Sequence, residues 1–321
     1  MEEELNYINP YKLGEEYDYD AYMIERFVEM MGEEETSNLL QFNETELNKT
    51  IRLNTLRSSL EHTVELLERK RIQLEDISEI PEAKEIINSP VPIGATPEYL
   101  GGYYMLQGKN SMLPSRILDP KIDELIGDFA AAPGGKTSHL AQLMNNEGTI
   151  IALEISANRC RSLKSVLARM GVENTIIMQY DTKKVNELDL MFDKILLDAP
   201  CSGSGVIISD HSRKQSKTLF DILKYHKYQT DLLTESMRVL KPGGELVYCT
   251  CSLEPEENEL VITQVLENFD CKIKELNIKG KAGLEKFQQY SFHPDINKAK
   301  RIYPHSSKGE GFFIIKMVKE Q

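Results

Sequence analysis

Short apolar runs alternate with amphipathic stretches along most of the chain beyond residue 117. The apolar runs predict strands at residues 125–129, 149–153, 175–178, 192–197, 246–249 and 312–318. Helices are predicted between them, at residues 136–144, 157–170 and 231–240, and another near Pro255. Because strand and helix alternate repeatedly, we expect an α/β fold built on a doubly wound, parallel, Rossmann-like sheet.

The pattern divides the chain into three parts. Residues 1–50 form an acidic N-terminal extension, residues 51–108 a small α/β module, with a strand expected at 51–57, and residues 109–321 the larger domain. The extension has 14 acidic and 3 basic side chains, which account for most of the net charge of −13. Segments of this composition are typically solvated and partly mobile, and we expect that here despite a weak amphipathic helix signal.

Composition narrows the class of protein. No apolar run approaches the length of a membrane span, and the N-terminus is unlike a signal peptide. Five cysteines without framework spacing indicate a reducing compartment, so we expect a cytoplasmic protein. No metal site is expected, because Cys249 and Cys251 have no second ligand cluster. Residues 271–321 carry 11 basic and 5 acidic side chains, so the negative total does not exclude a nucleic-acid surface.

Two cysteines and a carboxylate follow predicted strands. Asp198 and Cys201 come directly after residues 192–197, and Cys251 comes after residues 246–249. In an open α/β sheet the chemistry collects at the carboxyl ends of the strands. The sequence therefore predicts two thiols and a carboxylate at one site, which suits covalent catalysis on an electron-poor ring.

The turn after the first strand of the larger domain is rich in small residues. It reads Ala-Ala-Ala-Pro-Gly-Gly-Lys over residues 130–136, and Ala130 stands where a Walker A loop requires glycine. Glu154 and Asp181 end the next two strands, where they can accept hydrogen bonds from ribose hydroxyls and an adenine amino group. We expect an adenosine ligand without a polyphosphate, which fits S-adenosyl-L-methionine, and a P-loop-like ATPase is the alternative.

Several motifs occur in the order of one known family. They are the residues 51–57, 111–114, 118–121, 131–137, 198–205 (Asp-Ala-Pro-Cys-Ser-Gly-Ser-Gly), 248–259 (Tyr-Cys-Thr-Cys-Ser-Leu-Glu-Pro-Glu-Glu-Asn-Glu), 301–305 and 311–314. Over residues 50–318 the sequence resembles the Nop/Sun (RsmB/Nop) RNA cytosine-5 methyltransferases, including archaeal-type tRNA enzymes. The resemblance implies a methyltransferase sheet with an RNA-recognition-like N-terminal module, S-adenosyl-L-methionine as cofactor, and 5-methylcytosine formation in an RNA partner.

The resemblance also implies roles for individual residues. Cys251 would attack carbon 6 of cytosine, Asp198 would bind ring nitrogen 3, and Cys201 would assist release of the product. Lys136 would add positive charge, and the predicted helix near Pro255 would favour the Cys251 thiolate. In DNA cytosine-5 methyltransferases the cysteine after the Pro-Cys proline attacks, so Cys201 is the alternative nucleophile. The predicted cofactor-binding residues are Ala130, Ala131, Ala132, Pro133, Gly134, Gly135, Lys136, Glu154, Arg159, Asp181, Asp198 and Pro200.

The RNA partner is less well defined by the sequence. The segment after Gly205 departs from the family pattern, and residues 1–50 match no known motif. The candidate phosphate contacts are Arg69, Lys70, Arg71, Arg213, Lys214, Lys217, Lys298, Lys300 and Arg301. The short chain favours tRNA as substrate, with ribosomal RNA as the second possibility.

Overall fold

The computed structural model describes residues 9–320, so the acidic residues Glu2, Glu3 and Glu4 of the predicted extension lie outside the described residues. The elements of the first third are α1 (Pro10–Tyr17), α2 (Ala21–Met31), α3 (Glu33–Asn43), β1 (Thr50–Leu53), α4 (Leu60–Arg69), β2 (Gln73–Asp76), β3 (Ala83–Asn88), α5 (Pro97–Leu100), β4 (Tyr104–Leu106) and α6 (Lys109–Leu118).

The N-terminal helices are packed, not solvated. The Asn9 side chain caps α1 by accepting from the Tyr11 backbone N–H, and Gly32, at a φ of +86°, separates α2 from α3. Ile24 and Phe27 of α2 and Leu39 of α3 are fully buried in the largest core cluster of the molecule. For the helices at residues 10–43 the expectation of a solvated extension was therefore wrong, because an apolar helix face lies beneath the acidic side chains.

Residues 50–106 form a four-stranded antiparallel sheet in the order β2–β3–β1–β4. With α4 and α5 the chain order is βαββαβ, which is the ferredoxin-like arrangement. Ile51, Leu53 and Leu67 are fully buried in the core of this sheet and its helices. Strand β1 is shorter than predicted, because the chain turns at Asn54, whose carbonyl accepts from the Arg57 N–H.

The remaining elements build the larger domain. They are β5 (Leu125–Phe129), α7 (Gly135–Leu143), β6 (Thr149–Glu154), α8 (Ala157–Met170), β7 (Thr175–Gln179), β8 (Phe192–Asp198), α9 (Leu219–Arg238), β9 (Leu240–Thr250), α10 (Glu259–Leu266), β10 (Cys271–Lys274), β11 (Lys281–Ala282), β12 (Lys286–Phe287), β13 (Tyr290–Ser291), β14 (Lys300–Ile302), α11 (Pro304–Ser307) and β15 (Phe312–Lys319). Within residues 9–320 no helix combines the length and apolar character needed to cross a bilayer.

The main sheet confirms the predicted α/β class. Five parallel strands run in the order β7–β6–β5–β8–β9, and β15 pairs antiparallel with β9. Strands β14 and β11 extend this antiparallel edge, and β10 also pairs with β15. Chain order reverses between β5 and β8, so a ligand crevice is expected at their carboxyl ends.

Two predicted helix starts were wrong. Helix α9 begins at Leu219, twelve residues before the predicted start, with a capping box formed by Thr218 and Asp221. The helix expected near Pro255 begins at Glu259 instead, and Pro255–Glu257 forms only a 3-10 turn. The predicted helix N-terminus beside Cys251 is therefore absent, and its dipole cannot be invoked for the thiolate.

Candidate active site

The two predicted thiols meet at the carboxyl ends of β8 and β9. The Sγ atoms of Cys201 and Cys251 lie 3.1 Å apart, and both cysteines are free. Parallel pairing places Asp198 opposite Cys249, which brings the two cysteine loops side by side. The strand pattern thus positions both thiols and the carboxylate at one edge of the sheet.

Lys136 and Asp198 form an ion pair beside the thiols. The Lys136 Nζ donates to Asp198 Oδ2 at 2.7 Å and to Ser111 Oγ at 2.9 Å. The second carboxylate oxygen of Asp198 accepts from the Cys249 thiol at 3.4 Å. Cys249 is buried, as expected, but it also touches the site. Both described hydrogen bonds of the Lys136 ammonium go to side chains of the protein. It is therefore not directed at a nucleotide phosphate as the lysine of a Walker A loop would be.

The electrostatics of the site raise the pKa values of Cys201 and Lys136. The hydrogen bond with Cys251, followed by burial, raises the pKa of the Cys201 thiol well above its usual value. Burial opposes the charge on Lys136, but Asp198 and the neighbouring thiols outweigh it and raise the pKa of the ammonium. Cys201 therefore keeps its proton, beside a permanently charged lysine.

The buried carboxylate of Glu257 forms hydrogen bonds with both cysteine loops. Glu257 accepts from the Ser202 N–H at 2.9 Å, from the Ser252 hydroxyl at 2.8 Å and from Gln229 Nε2 at 2.9 Å. Ser202 follows Cys201 and Ser252 follows Cys251 in the chain. Burial raises the pKa of Glu257 to about 7. From the sequence, Glu257 was noted only as part of the family motif at residues 248–259 and was not predicted as a site residue.

A cavity of about 240 Å³ adjoins Lys136 and Asp198. Of the predicted cofactor residues it is lined by Ala130, Ala131, Ala132, Pro133, Gly135, Lys136 and Asp198. Asp128 and Glu310 line it as well, and the sequence had singled out neither. Asp128 Oδ2 accepts from the Thr137 hydroxyl, whereas its buried Oδ1 has no hydrogen-bond partner among residues 9–320.

The other predicted cofactor residues lie outside this lining. Glu154, at the end of β6, is almost completely buried and pairs with Arg159, whose guanidinium also donates to the Ala132 carbonyl at 2.6 Å. Asp181 caps the 3-10 helix Thr182–Leu188 by accepting from the Lys183 N–H. The carbonyl oxygen of Pro200 accepts a hydrogen bond from Gln229 Nε2. The remaining residue, Gly134, packs against Leu163 of α8.

Two predicted phosphate contacts were wrong. Arg301 is fully buried, where it donates to both carboxylate oxygens of Glu259 at 2.5 Å. Lys214 is buried too, and its Nζ donates to the Tyr17 carbonyl and to Glu44 Oε1. A buried charged side chain whose donors are engaged in this way is not available to RNA.

Comparisons with known proteins agree with this architecture. The sequence model of the 16S rRNA methyltransferase RsmB/F family matches residues 115–318, and that of the RsmF/B-like ferredoxin-like domain matches residues 19–93. The second match begins inside the segment that had matched no known motif.

Individual relatives extend the match. The chain is 40% identical over 309 residues to a Mus musculus protein named 28S rRNA (cytosine-C(5))-methyltransferase, covering 94% of this chain and 39% of that one. It is 35% identical over 276 residues to the tRNA (cytosine(49)-C(5))-methyltransferase of Pyrococcus abyssi, covering 85% and 88%. The crystal structure of NSun6 from Pyrococcus horikoshii with SFG has a TM-score of 0.83 at 27% identity, covering 93% and 97%.

The chain spans about two fifths of the length of the first curated relatives it matches. The family match nevertheless covers most of the chain, and it includes the two strands that the thiols follow, β8 and β9. The chain therefore belongs to the RsmB/F family of RNA methyltransferases.

Proposed function

We propose that the chain is an S-adenosyl-L-methionine-dependent RNA methyltransferase that forms 5-methylcytosine through a covalent bond between Cys251 and carbon 6 of the base. The observation that carries the proposal is the pair of thiols 3.1 Å apart beside the Lys136–Asp198 ion pair. Relatives named as RNA cytosine-C5 methyltransferases support the same chemistry.

The residues present fit the proposed cofactor. The cavity has a backbone wall of small residues and a buried Asp128 oxygen without a partner, which suits a ligand that brings hydrogen-bond donors. The related structure determined with SFG, an analogue of S-adenosylmethionine, supports the assignment. When bound, the cofactor supplies an electrophilic methyl group. Residues 130–136 would hold it, with Glu154 and Asp181 at its nucleoside end.

Cys251, Asp198 and Lys136 have different roles in the reaction of the base. The Cys251 thiolate attacks carbon 6, which makes carbon 5 nucleophilic. Asp198 binds the edge of the ring at nitrogen 3 and the exocyclic amine, and the Lys136 ammonium beside it offsets the negative charge that thiolate addition places on the ring. After methyl transfer, the proton on carbon 5 must leave as the carbon–sulfur bond to Cys251 breaks.

Cys201 is placed to take that proton. Its pKa is raised first of all by its hydrogen bond with Cys251. Once the Cys251 sulfur is bonded to the base, it no longer makes this hydrogen bond as a thiolate, which removes the first cause of the raised pKa of Cys201. After its own proton has passed to solvent, the Cys201 thiolate can accept the proton from carbon 5 while the carbon–sulfur bond breaks and Cys251 leaves as a thiolate.

Single-cysteine variants test the assignment. Purified chain with labelled cofactor and RNA is expected to transfer label to cytosine, located by bisulfite sequencing. Cys251→Ala should form no covalent RNA adduct, whereas Cys201→Ala should accumulate one, visible as a protein–RNA species in denaturing gels. The reverse pattern would make Cys201 the nucleophile, and absence of labelled cytosine with any cellular RNA would refute the activity.

We propose tRNA as the substrate class, which the relative from Pyrococcus abyssi supports because it aligns along most of both chains. Ribosomal RNA is the second candidate, favoured by the higher identity to the mouse enzyme. Bisulfite sequencing of both RNA classes after incubation with the chain distinguishes them. Methylation confined to ribosomal RNA would replace the first proposal by the second.

A further inference from the structure

A cleft on the N-terminal half of α9 combines lysines with tyrosine rings. It has a volume of about 570 Å³ and is lined by Lys183, Lys217, Asp221, Lys224, Tyr225, Lys227, Tyr228 and Asp231. We call this surface the α9 cleft. Most of its residues recur at helical spacing on α9, and Lys183 joins them from the 3-10 helix after β7.

The cleft is a basic surface on an acidic molecule. It contains four lysines and two aspartates, whereas the chain as a whole has a net charge of −13. Within residues 9–320 no carboxylate forms a salt bridge with any of the four lysines, although most of the other lysines on the molecule have such partners. Unpaired ammonium groups grouped in a concave surface attract a polyanion.

The tyrosine rings are arranged beside the ammonium groups. Lys183 Nζ lies 5.4 Å from the ring centre of Tyr228, and Lys217 Nζ lies 5.7 Å from that of Tyr225. Both rings are half-buried, and the nearby Phe220 is 76% exposed at the start of the helix. Aromatic faces among cations form a stacking platform for unpaired bases with neighbouring phosphate contacts.

The cleft adjoins the proposed catalytic centre. Gln229, the residue after Tyr228, donates to the Pro200 carbonyl at 2.8 Å and to Glu257 at 2.9 Å. At its other end, Lys217 lines a small cavity together with Ser202 and Ser204 of the Cys201 loop. The helix that carries the cleft is therefore in direct contact with the Cys201 loop, which would bring RNA bound in the cleft close to a target base at Cys201.

We propose that the α9 cleft binds the single-stranded RNA segment that flanks the target cytosine, with Lys217, Lys224 and Lys227 contacting phosphates and Tyr225 stacking on a base. This inference rests on the proposed RNA methyltransferase function. It supplies the phosphate contacts that Arg301 and Lys214, which are buried, cannot make.

Charge reversal at two lysines tests the electrostatic part. The Lys224→Glu/Lys227→Glu variant of the full chain is expected to bind a fluorescein-labelled single-stranded oligoribonucleotide at least about tenfold more weakly at low salt. The slope of log Kd against log salt should decrease by about 0.7 for each phosphate that a lysine no longer neutralises. Lys164→Glu is the matched control, because Lys164 is also exposed on a helix of this domain and lies outside the cleft.

Two substitutions at Tyr225 test the stacking part. Tyr225→Ala is expected to weaken RNA binding about fivefold or more, with little change in its salt dependence. Tyr225→Phe keeps the ring, and the Tyr225 hydroxyl makes no hydrogen bond within the described part of the chain, so this variant should bind RNA like the parent. Cofactor affinity, measured by calorimetry, should be the same for all these variants, which separates a binding surface from a folding defect.

Unchanged RNA affinity and salt slope in Lys224→Glu/Lys227→Glu would overturn the proposal, as would equal reductions of affinity in this variant and in Lys164→Glu. If Lys224→Glu/Lys227→Glu binds RNA like the parent but no longer binds a protein that the parent binds, the cleft is a protein-docking surface and the proposal is overturned. These readouts require no methyl transfer, so they can fail while the parent chain still methylates cytosine. The methylation assay can equally fail while they succeed.

Discussion

Glu257 shows how a single side chain can set the distance between two reactive groups. Its carboxylate holds the backbone N–H after Cys201 and the hydroxyl after Cys251, and the Ser202 and Ser252 hydroxyls lie 3.1 Å apart. The spacing of the two thiols therefore depends on a residue that touches neither of them. We regard Glu257 as a positioning residue.

Removing this carboxylate should impair catalysis more than cofactor binding. In Glu257→Ala the Ser202 N–H and the Gln229 amide lose buried acceptors, at a cost of about 1–3 kcal/mol each. We expect a kcat at least about tenfold lower, an altered pH profile and slow release of the covalent RNA adduct, with an unchanged cofactor Kd. Glu257→Gln keeps one acceptor oxygen and should recover part of the kcat. Equal kcat values for the Ala variant and the parent would contradict the positioning role.

Asp128 should make stability depend on pH. Burial raises its pKa to about 7, while the unfolded value is about 3.9. Between these values the unfolded chain ionises and the folded chain keeps its proton, so stability is highest below the unfolded pKa and decreases as pH rises to about 7.

Asp128→Asn removes this titration while the amide oxygen can still accept from Thr137. The difference in unfolding free energy between Asp128→Asn and the parent should therefore grow in favour of the variant from pH 4.5 to pH 8, by up to about 1.4 kcal/mol for each unit of pKa shift. Thermal unfolding without cofactor measures it. A difference that is constant with pH would show that Asp128 does not titrate in this range.

Site residues that follow predicted strands could be identified from the sequence, whereas residues whose role comes from packing could not. Cys201, Cys251 and Asp198 follow strands, so their convergence could be predicted. Glu257 and Asp128 could not be identified, because their importance depends on partners far along the chain or on burial at the cavity.

The same division applies to whole elements. The strands β5 to β8 were predicted to within one residue at each end, because each of them is a short, mainly apolar run, including the partly exposed edge strand β7. The first half of α9 was missed, because its outer face carries lysines and tyrosines in the cleft instead of a simple polar pattern. The antiparallel edge of β10, β11 and β14 was not predicted either, since such short strands lack a clear alternation.

The N-terminal helices hold the segment that follows the Cys201 loop. Asp20 donates its N–H to the Lys214 carbonyl, and His211 Nε2 lies 3.0 Å from the Asn43 carbonyl. Lys214 itself reaches back to Glu44 and to the carbonyl of Tyr17. This is the segment that departs from the family sequence, so the helices of the extension determine its conformation.

Breaking the central contact should release that segment. In Lys214→Ala the Tyr17 carbonyl and Glu44 lose their donor, which we expect to lower stability by about 1–3 kcal/mol. Amide hydrogen exchange over residues 209–218 should become faster, while exchange in β5 and β6 should not change. Lys164→Ala is the control for removal of a lysine. Uniform acceleration across the domain would instead indicate global destabilisation.

At the scale of the molecule, the extension and the larger domain share one core. Arg26 of α2 donates to Glu254 at 2.8 Å and to Glu256 at 2.5 Å, just after the Cys251 loop. Ile24 and Phe27 pack in the same cluster as the strands of the main sheet. The two parts are therefore expected to unfold together.

Arg26→Ala tests this cooperativity. The substitution leaves two buried carboxylates without their cation, which typically lowers the free energy of unfolding by about 3–5 kcal/mol. Arg69→Ala is the control, because Arg69 is also paired with a glutamate but is 68% exposed, and surface pairs contribute at most about 1 kcal/mol. Thermal unfolding of Arg26→Ala should remain a single transition at lower temperature, with loss of helix and loss of cofactor binding coinciding. Two separated transitions would show that the N-terminal helices form an independent unit, and the acidic extension would then not be part of the catalytic fold.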